Sequence, residues 1–315
     1  MDAKQIAGLA QKIRKNIGLV IVGREDMTAL MLSAVIAGGH VLLEDVPGTG
    51  KTVTARCLAA SLDGTFSRIQ FTPDLLPGDI TGTRIYRQDR GEFVFHPGPV
   101  FANILLADEI NRATPRTQSA LLECMEERQV TEGGATYPLP DPFLVIATQN
   151  PVETQGTFPL PEAQLDRFLM RLTPGYPDEQ EAMILLDRFL KEEPIRKLAA
   201  VCSCEEIALA KQALPTCDVS PDVQQYIARL CEQTRRDPRV QLGVSPRGML
   251  WLMRASQALA LTEGRTYVIP DDVQRLAGPV MTHRIIPRGY TGRAETARSV
   301  VQDALKAVAA PTETR

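Results

Sequence analysis

Five apolar runs of four to six residues, His40–Glu44, Phe66–Phe71, Ile104–Asp108, Phe143–Thr148 and Leu169–Leu172, recur through the first 175 positions of the chain. Each has the length of a buried strand, and stretches of helical periodicity separate them. Strands this apolar need cover on both faces. The pattern therefore predicts an α/β layer with a largely parallel sheet.

The helices between the runs have readable starts. Gly50 leads into Lys51–Leu62, and Thr114-Pro115 places an N-cap and an N1 proline before Leu121, Leu122 and Met125. Two stretches interrupt the alternation. Phe71–Gly98 is too long and turn-rich for a simple connection, and Gln129–Pro142 has the form of a hairpin around Gly133-Gly134. Near Thr173–Pro177 the composition changes, and from there only helical periodicity follows, with starts at Ser220-Pro221 and Ser245-Pro246. Two domains are expected, an α/β unit over 1–175 and a helical unit over 176–315.

Composition excludes several function classes. At 44% hydrophobic and 23% charged, with a formal charge of −3, the chain is globular and has no global field drawing it to nucleic acid or an anionic membrane. The first residues lack the unbroken apolar core of a signal peptide, and the longest uncharged run, Met27–Leu43, is broken by Gly38-Gly39-His40. A cytoplasmic protein without membrane insertion is expected. The six cysteines form no C-x-x-C pair, Cys202-Ser203-Cys204 lacks a second ligand pair, and His40, His96 and His283 are scattered, so no structural metal site is expected.

The first apolar run continues into Asp45-Val46-Pro47-Gly48-Thr49-Gly50-Lys51-Thr52. A phosphate cradle needs free backbone N–H groups, a helix N-terminus and a lysine. Gly48 and Gly50 supply the permissive backbone, Lys51 the charge, and Thr52 a hydroxyl for Mg²⁺. Asp45 stands where the common G-x-x-x-x-G-K-[ST] pattern has its first glycine, at the exit of the strand, and aspartate tolerates unusual backbone angles there.

A second run, Ile104–Asp108, ends in Asp108-Glu109. Adjacent carboxylates at the end of a buried strand call for a neutralising cation. Asp108 is placed to hold Mg²⁺ and Glu109 to polarise the water that attacks the γ-phosphate. A third run, Phe143–Thr148, leads to Gln149-Asn150-Pro151, where the Asn150 amide can orient that water without adding charge. Asn150 as a simple turn former before proline is the alternative.

These segments, "IVGRED" (21–26), "LLEDVPGTGKT" (42–52), "ILLADEINR" (104–112), "FLVIATQNP" (143–151), "LPEAQLDRF" (160–168) and "GVSPRGML" (243–250), together resemble the MoxR family of AAA+ ATPases. The resemblance implies a doubly wound α/β P-loop NTPase core with a helix-2 insert (Phe71–Gly98) and a pre-sensor-1 hairpin (Gln129–Pro142), followed by an all-α lid. It implies ATP and Mg²⁺ as cofactors, and ATP is held by Val22, Gly23 and the loop from Asp45 through Lys51 and Thr52 to Val53. Arg247 corresponds to the sensor-2 arginine, which reaches from the lid to the γ-phosphate of its own subunit. Arg167 corresponds to an arginine finger acting on a neighbouring subunit, with Arg112 as the alternative.

The resemblance further implies a ring, usually a hexamer, that remodels client protein complexes beside a von Willebrand factor A domain partner. An ATPase subunit of a metal chelatase is a second reading. A DNA-translocating motor is a third, weakened because Thr131–Phe143 contains no Lys or Arg, although Arg84, Arg87 and Arg90 lie in the other insert.

Overall fold

The computed structural model describes residues 1–315 except 45–48, 90, 150–155, 192–194, 196–197, 290–291 and 313–315, and the side chains at 189 and 191. All five expected strands form one sheet. They are β1 (Val41–Glu44), β2 (Phe66–Gln70), β5 (Ile104–Asp108), β8 (Leu144–Gln149) and β9 (Met170–Leu172), in the order β2-β5-β8-β1-β9, with every neighbouring pair parallel. Parallel pairing gathers every strand's C-terminal end on one edge of the sheet and every N-terminal end on the other.

Successive side chains point to opposite faces. Val41, Leu43, Ile104, Leu106, Leu144 and Ile146 join one core, whereas Leu42, Leu105, Ala107, Val145 and Ala147 join another. The last residues of β1, β5 and β8, namely Glu44, Asp108 and Gln149, emerge half-buried along the C-terminal edge. β2 is an edge strand, and only Ile69 in it is buried.

The first face is covered by α1 (Ala3–Gly18), α2 (Glu25–Ala37) and α3 (Lys51–Ser61), and by the helices that follow the sheet. The second is covered by α5 (Pro115–Glu127) and by α4 (Pro77–Thr81) of the first insert. That insert continues as a hairpin of β3 (Gly82–Arg87) and β4 (Glu92–Pro97). The second insert is the expected hairpin, β6 (Gln129–Glu132) and β7 (Ala135–Pro138), turning through Gly133 and Gly134, both at positive φ. The two inserts touch: Phe95 and Tyr137 stack at 4.0 Å, and Arg84 crosses so close to Gly133 that a Cβ there would meet it at 2.7 Å. Ile85, Tyr86 and Phe93 are exposed on the first hairpin.

After the short α6 (Glu162–Leu165) and β9, the chain is helical: α7 (Glu179–Lys191), α8 (Cys204–Gln212), α9 (Pro221–Arg236), α10 (Pro246–Thr262), α11 (Pro270–Met281) and α12 (Arg293–Ala307). Ser220 and Ser245 cap α9 and α10 as their positions before proline predict. The expectation of helices alone is corrected in one place, a small antiparallel ribbon of β10 (Val240–Leu242) and β11 (Ile286–Pro287), too short to carry a sequence signal. α10 packs against α1 and α2, so one core runs from the first helix to the last. Among the described residues no helix is long and apolar enough to cross a membrane.

Candidate functional site

Gly50 takes φ 83°, a left-handed conformation that suits glycine, and ends the loop by capping α3. Lys51, Thr52 and Val53 form the first turn of that helix, where the N–H groups of a helix start and the helix dipole favour an anion. The positions Asp45, Val46, Pro47 and Gly48, and likewise Asn150, lie outside the described residues. Beside the helix start is a cavity of about 340 Å³, lined by Val20, Val22, Thr49, Gly50, Val53 and Tyr176 among others. Its apolar walls suit a flat aromatic base. Gly23 lies next to it, at φ 67°, and a Cβ there would fall 1.8 Å from the Glu181 carboxylate that caps α7. Arg24 donates to the Gly175 carbonyl at 2.7 Å, fastening the β9–α7 connection beside this cavity.

On the same edge, Asp108 ends β5. Its Oδ2 receives Arg68 Nη2 at 2.6 Å and its Oδ1 accepts the Thr148 hydroxyl at 2.7 Å. Glu109 is left-handed, at φ 56° and ψ 50°, and its N–H donates to the same Thr148 Oγ1 at 2.8 Å. Gln70 Nε2 donates to Glu109 Oε2 at 2.7 Å, and Arg112 Nε lies 3.1 Å from that oxygen. The two acids are thus balanced here by arginines. Among the described residues no group of three or more His, Cys, Asp or Glu could hold a metal. The donor set of a Thr52 hydroxyl and an Asp108 carboxylate nevertheless fits Mg²⁺, which takes few protein oxygens and completes its shell with phosphate and water. Arg68 marks the Asp108 oxygen as a place that attracts a cation.

Arg167 and Arg247 lie elsewhere. Arg167 precedes β9, at the N-terminal edge of the sheet, and its Nε is 3.1 Å from Glu126 Oε2. Arg247 Nη2 is 2.7 Å from the other oxygen, Glu126 Oε1. Both line a cavity of about 360 Å³ together with His40 and Arg128, which belong to the strand-entry side. His40 accepts the Val145 N–H and contacts the Met125 carbonyl, while Arg128 bonds the carbonyls of Phe143 and Gly38. Burial, reinforced by Arg128, holds the His40 pKa well below its usual value.

Arg247, expected at the γ-phosphate of its own subunit, stands here away from the segments expected to hold that phosphate. Lys51 and Asp108 stand at the opposite edge of a parallel sheet, and Arg247 shares a carboxylate with Arg167. Asp166 fixes this arrangement: it accepts from Ser245, the cap of α10, and from Arg284 Nε at 2.8 Å. Arg284 is 1% exposed, and burial lowers its pKa to about 10, so it stays cationic at neutral pH. Arg112 sits instead at the C-terminal edge, on Glu109.

Sequence reasoning missed Arg68, Gln70, Thr148 and Glu126. Arg68 and Gln70 alternate along β2 toward the edge that carries the acids, and that polar alternation in an otherwise apolar layer is a signal. Nothing local singles out Glu126.

Comparison with known proteins gives this geometry a context. The model for the ATPase family associated with various cellular activities (AAA) matches residues 40–170, and the AAA lid domain matches residues 232–305. The uncharacterized protein YeaC of Bacillus subtilis is 48% identical over 307 residues, 97% of this chain and 96% of that protein. Chaperone MoxR1 of Mycobacterium tuberculosis is 46% identical over 276 residues, 85% of this chain and 73% of that protein. A solved structure of a candidate ATPase from Cytophaga hutchinsonii is similar with a TM-score of 0.90 at 38% identity, covering 98% of this chain and 97% of that one. Identity near one half along almost the whole length allows one assignment: the chain belongs to the MoxR family of AAA+ ATPases.

Proposed function

We propose that this ATPase hydrolyses Mg²⁺-bound ATP at the C-terminal edge of the sheet, inside a homo-oligomeric ring, and uses the cycle to remodel or activate client protein complexes. Lys51 and the loop around it hold the phosphates, and Val22, Gly23 and Val53 bound the base site. Thr52 and Asp108 hold Mg²⁺, which when bound offsets the phosphate charge. Glu109 takes the proton of the attacking water, and Asn150 orients that water. The connection near 173–177 is the hinge between the α/β unit and the helical unit.

One observation carries the oligomeric part of this reading. The acids and the loop lie on one edge of the sheet, while Arg167 and Arg247 lie together on the other. A subunit arranged in this way holds its own arginine pair across the sheet from its own Lys51 and Asp108. That placement supports a pair that stabilises γ-phosphate charge on a neighbour. The exposed apolar tip of the stacked inserts is the surface for the client, and a von Willebrand factor A domain protein is the partner class the family suggests.

Mixing Arg167→Ala protein with Glu109→Gln protein tests this. Neither alone should turn over, whereas mixed rings contain interfaces where an intact Glu109 meets an intact Arg167, so activity should partly return. Absence of recovery in rings shown to be mixed would reject the trans arrangement and turn attention to Arg112. Salt-sensitive stimulation of hydrolysis by DNA would reject the client reading, and activity that depends on a metal-inserting partner would favour the chelatase reading.

A further inference from the structure

Glu126, the last glutamate but one of α5, belongs to none of the nucleotide-site segments, yet it holds both arginines of the opposite edge. Each of its oxygens serves one guanidinium, Oε2 that of Arg167 at 3.1 Å and Oε1 that of Arg247 at 2.7 Å. The cavity around them carries Arg128, Arg167, Arg247 and Arg254 against this single carboxylate. Arg128 is spent on backbone carbonyls, and Arg254 lies over the Trp251 ring at 5.8 Å. The indole Nε1 of Trp251 is buried without an acceptor. The site is therefore rich in donors and short of anions.

Arg247 also sits in the first turn of α10, where the helix dipole disfavours a cation, so it needs an anion beside it. In the single subunit Glu126 is that anion. A terminal phosphate is a stronger acceptor for the same two guanidiniums, with three oxygens and a larger charge than a carboxylate.

We propose that Glu126 is a positioning residue that competes with the neighbour's γ-phosphate. It holds Arg167 and Arg247 together in the free subunit and yields them when the ring closes, so it sets the subunit concentration at which hydrolysis switches on. The inference rests on the trans arrangement proposed above. Asp166 complements it: Ser245 and Arg284 hold Asp166, and with it the finger segment, against the start of α10, so both arginines can move from carboxylate to phosphate without leaving their elements.

The test is Glu126→Gln, which keeps shape and removes charge at a half-exposed position. Two curves are measured against protein concentration, the specific ATPase rate and, by sedimentation with a non-hydrolysable ATP analogue, the fraction assembled. Both midpoints should fall by about threefold, the scale of an exposed ion pair, with the plateau rate kept. Glu127→Gln, the same charge change one residue along, should leave both curves in place.

An unmoved or raised midpoint for Glu126→Gln would overturn the proposal. So would an equal shift in Glu127→Gln, or a plateau lowered without a midpoint shift. The arginine–glutamate mixing experiment separates the two levels. If mixing fails, the trans arrangement itself has failed; if mixing succeeds and the Glu126→Gln midpoint stays put, only the competition is rejected.

Discussion

Thr148 donates its hydroxyl to Asp108 Oδ1 at 2.7 Å, across the gap between β8 and β5. Thr148 Oγ1 in turn accepts the Glu109 N–H, so one buried threonine holds the carboxylate of the first acid and the left-handed backbone of the second. Thr148→Val keeps the volume and loses both bonds. Its kcat should fall about ten- to a hundred-fold through misplacement of Glu109, with ATP affinity nearly unchanged, and Thr148→Ser should recover most of the loss. Steady-state kinetics beside equilibrium ATP binding checks this; a parental kcat in the valine variant would remove Thr148 from the site.

Arg68 occupies the Asp108 oxygen that the proposed Mg²⁺ site would use. Arg68→Ala should therefore lower the Mg²⁺ concentration for half-maximal hydrolysis by about two- to fivefold, the range of a half-exposed ion pair. A Mg²⁺ titration at fixed ATP reads this directly, and an unchanged or raised midpoint would contradict it.

Lys51→Ala should lose ATP binding, because the helix start loses its side-chain charge for the phosphates. Glu109→Gln should bind ATP and stall, since the amide keeps the shape but cannot take a proton. Binding measured by calorimetry and turnover by phosphate release separate the two; parental turnover in Glu109→Gln would reassign the base.

His40 and His283 are buried, and burial, aided by Arg128 and Arg284 respectively, keeps both pKa values well below the ordinary 6.5. Below pH 6.5 the unfolded chain takes up protons that the folded chain refuses, so stability falls as pH falls. Each histidine contributes up to about 1.4 kcal/mol per pH unit in that window. Denaturant unfolding at pH 7.5 and pH 5.5 should show the loss, and replacing His40 with Gln should shrink it. A pH-independent stability would show that these rings ionise in place.

Much of the sheet was legible because its signal is local. Residues 104–107 and 144–147 are apolar at consecutive positions, as a short strand covered on both sides requires, and the Gly50–Lys51 junction announces its helix. What was not legible depends on pairing. That Thr148 faces Asp108 follows from the register of β8 on β5, and that Arg247 meets Glu126 joins residues 121 positions apart. The place of Arg247 was hidden for the same reason: no periodicity in α10 states which edge of the sheet it docks on.

The matched family segments begin at residue 40, after α1 and α2, yet Ile6, Ile13 and Ile17 of α1 are buried in the same core as Leu252, Ala255 and Leu259 of α10. The segments that the family models match are therefore shorter than the unit that folds. A fragment cut at residue 40 would lose isoleucines whose burial contributes about 1.5–3 kcal/mol apiece, and it would strip α10 of the surface it rests on. The first helices act as a keel: by bracing the element that carries Arg247, they tie the aim of an arginine to a segment far from any nucleotide.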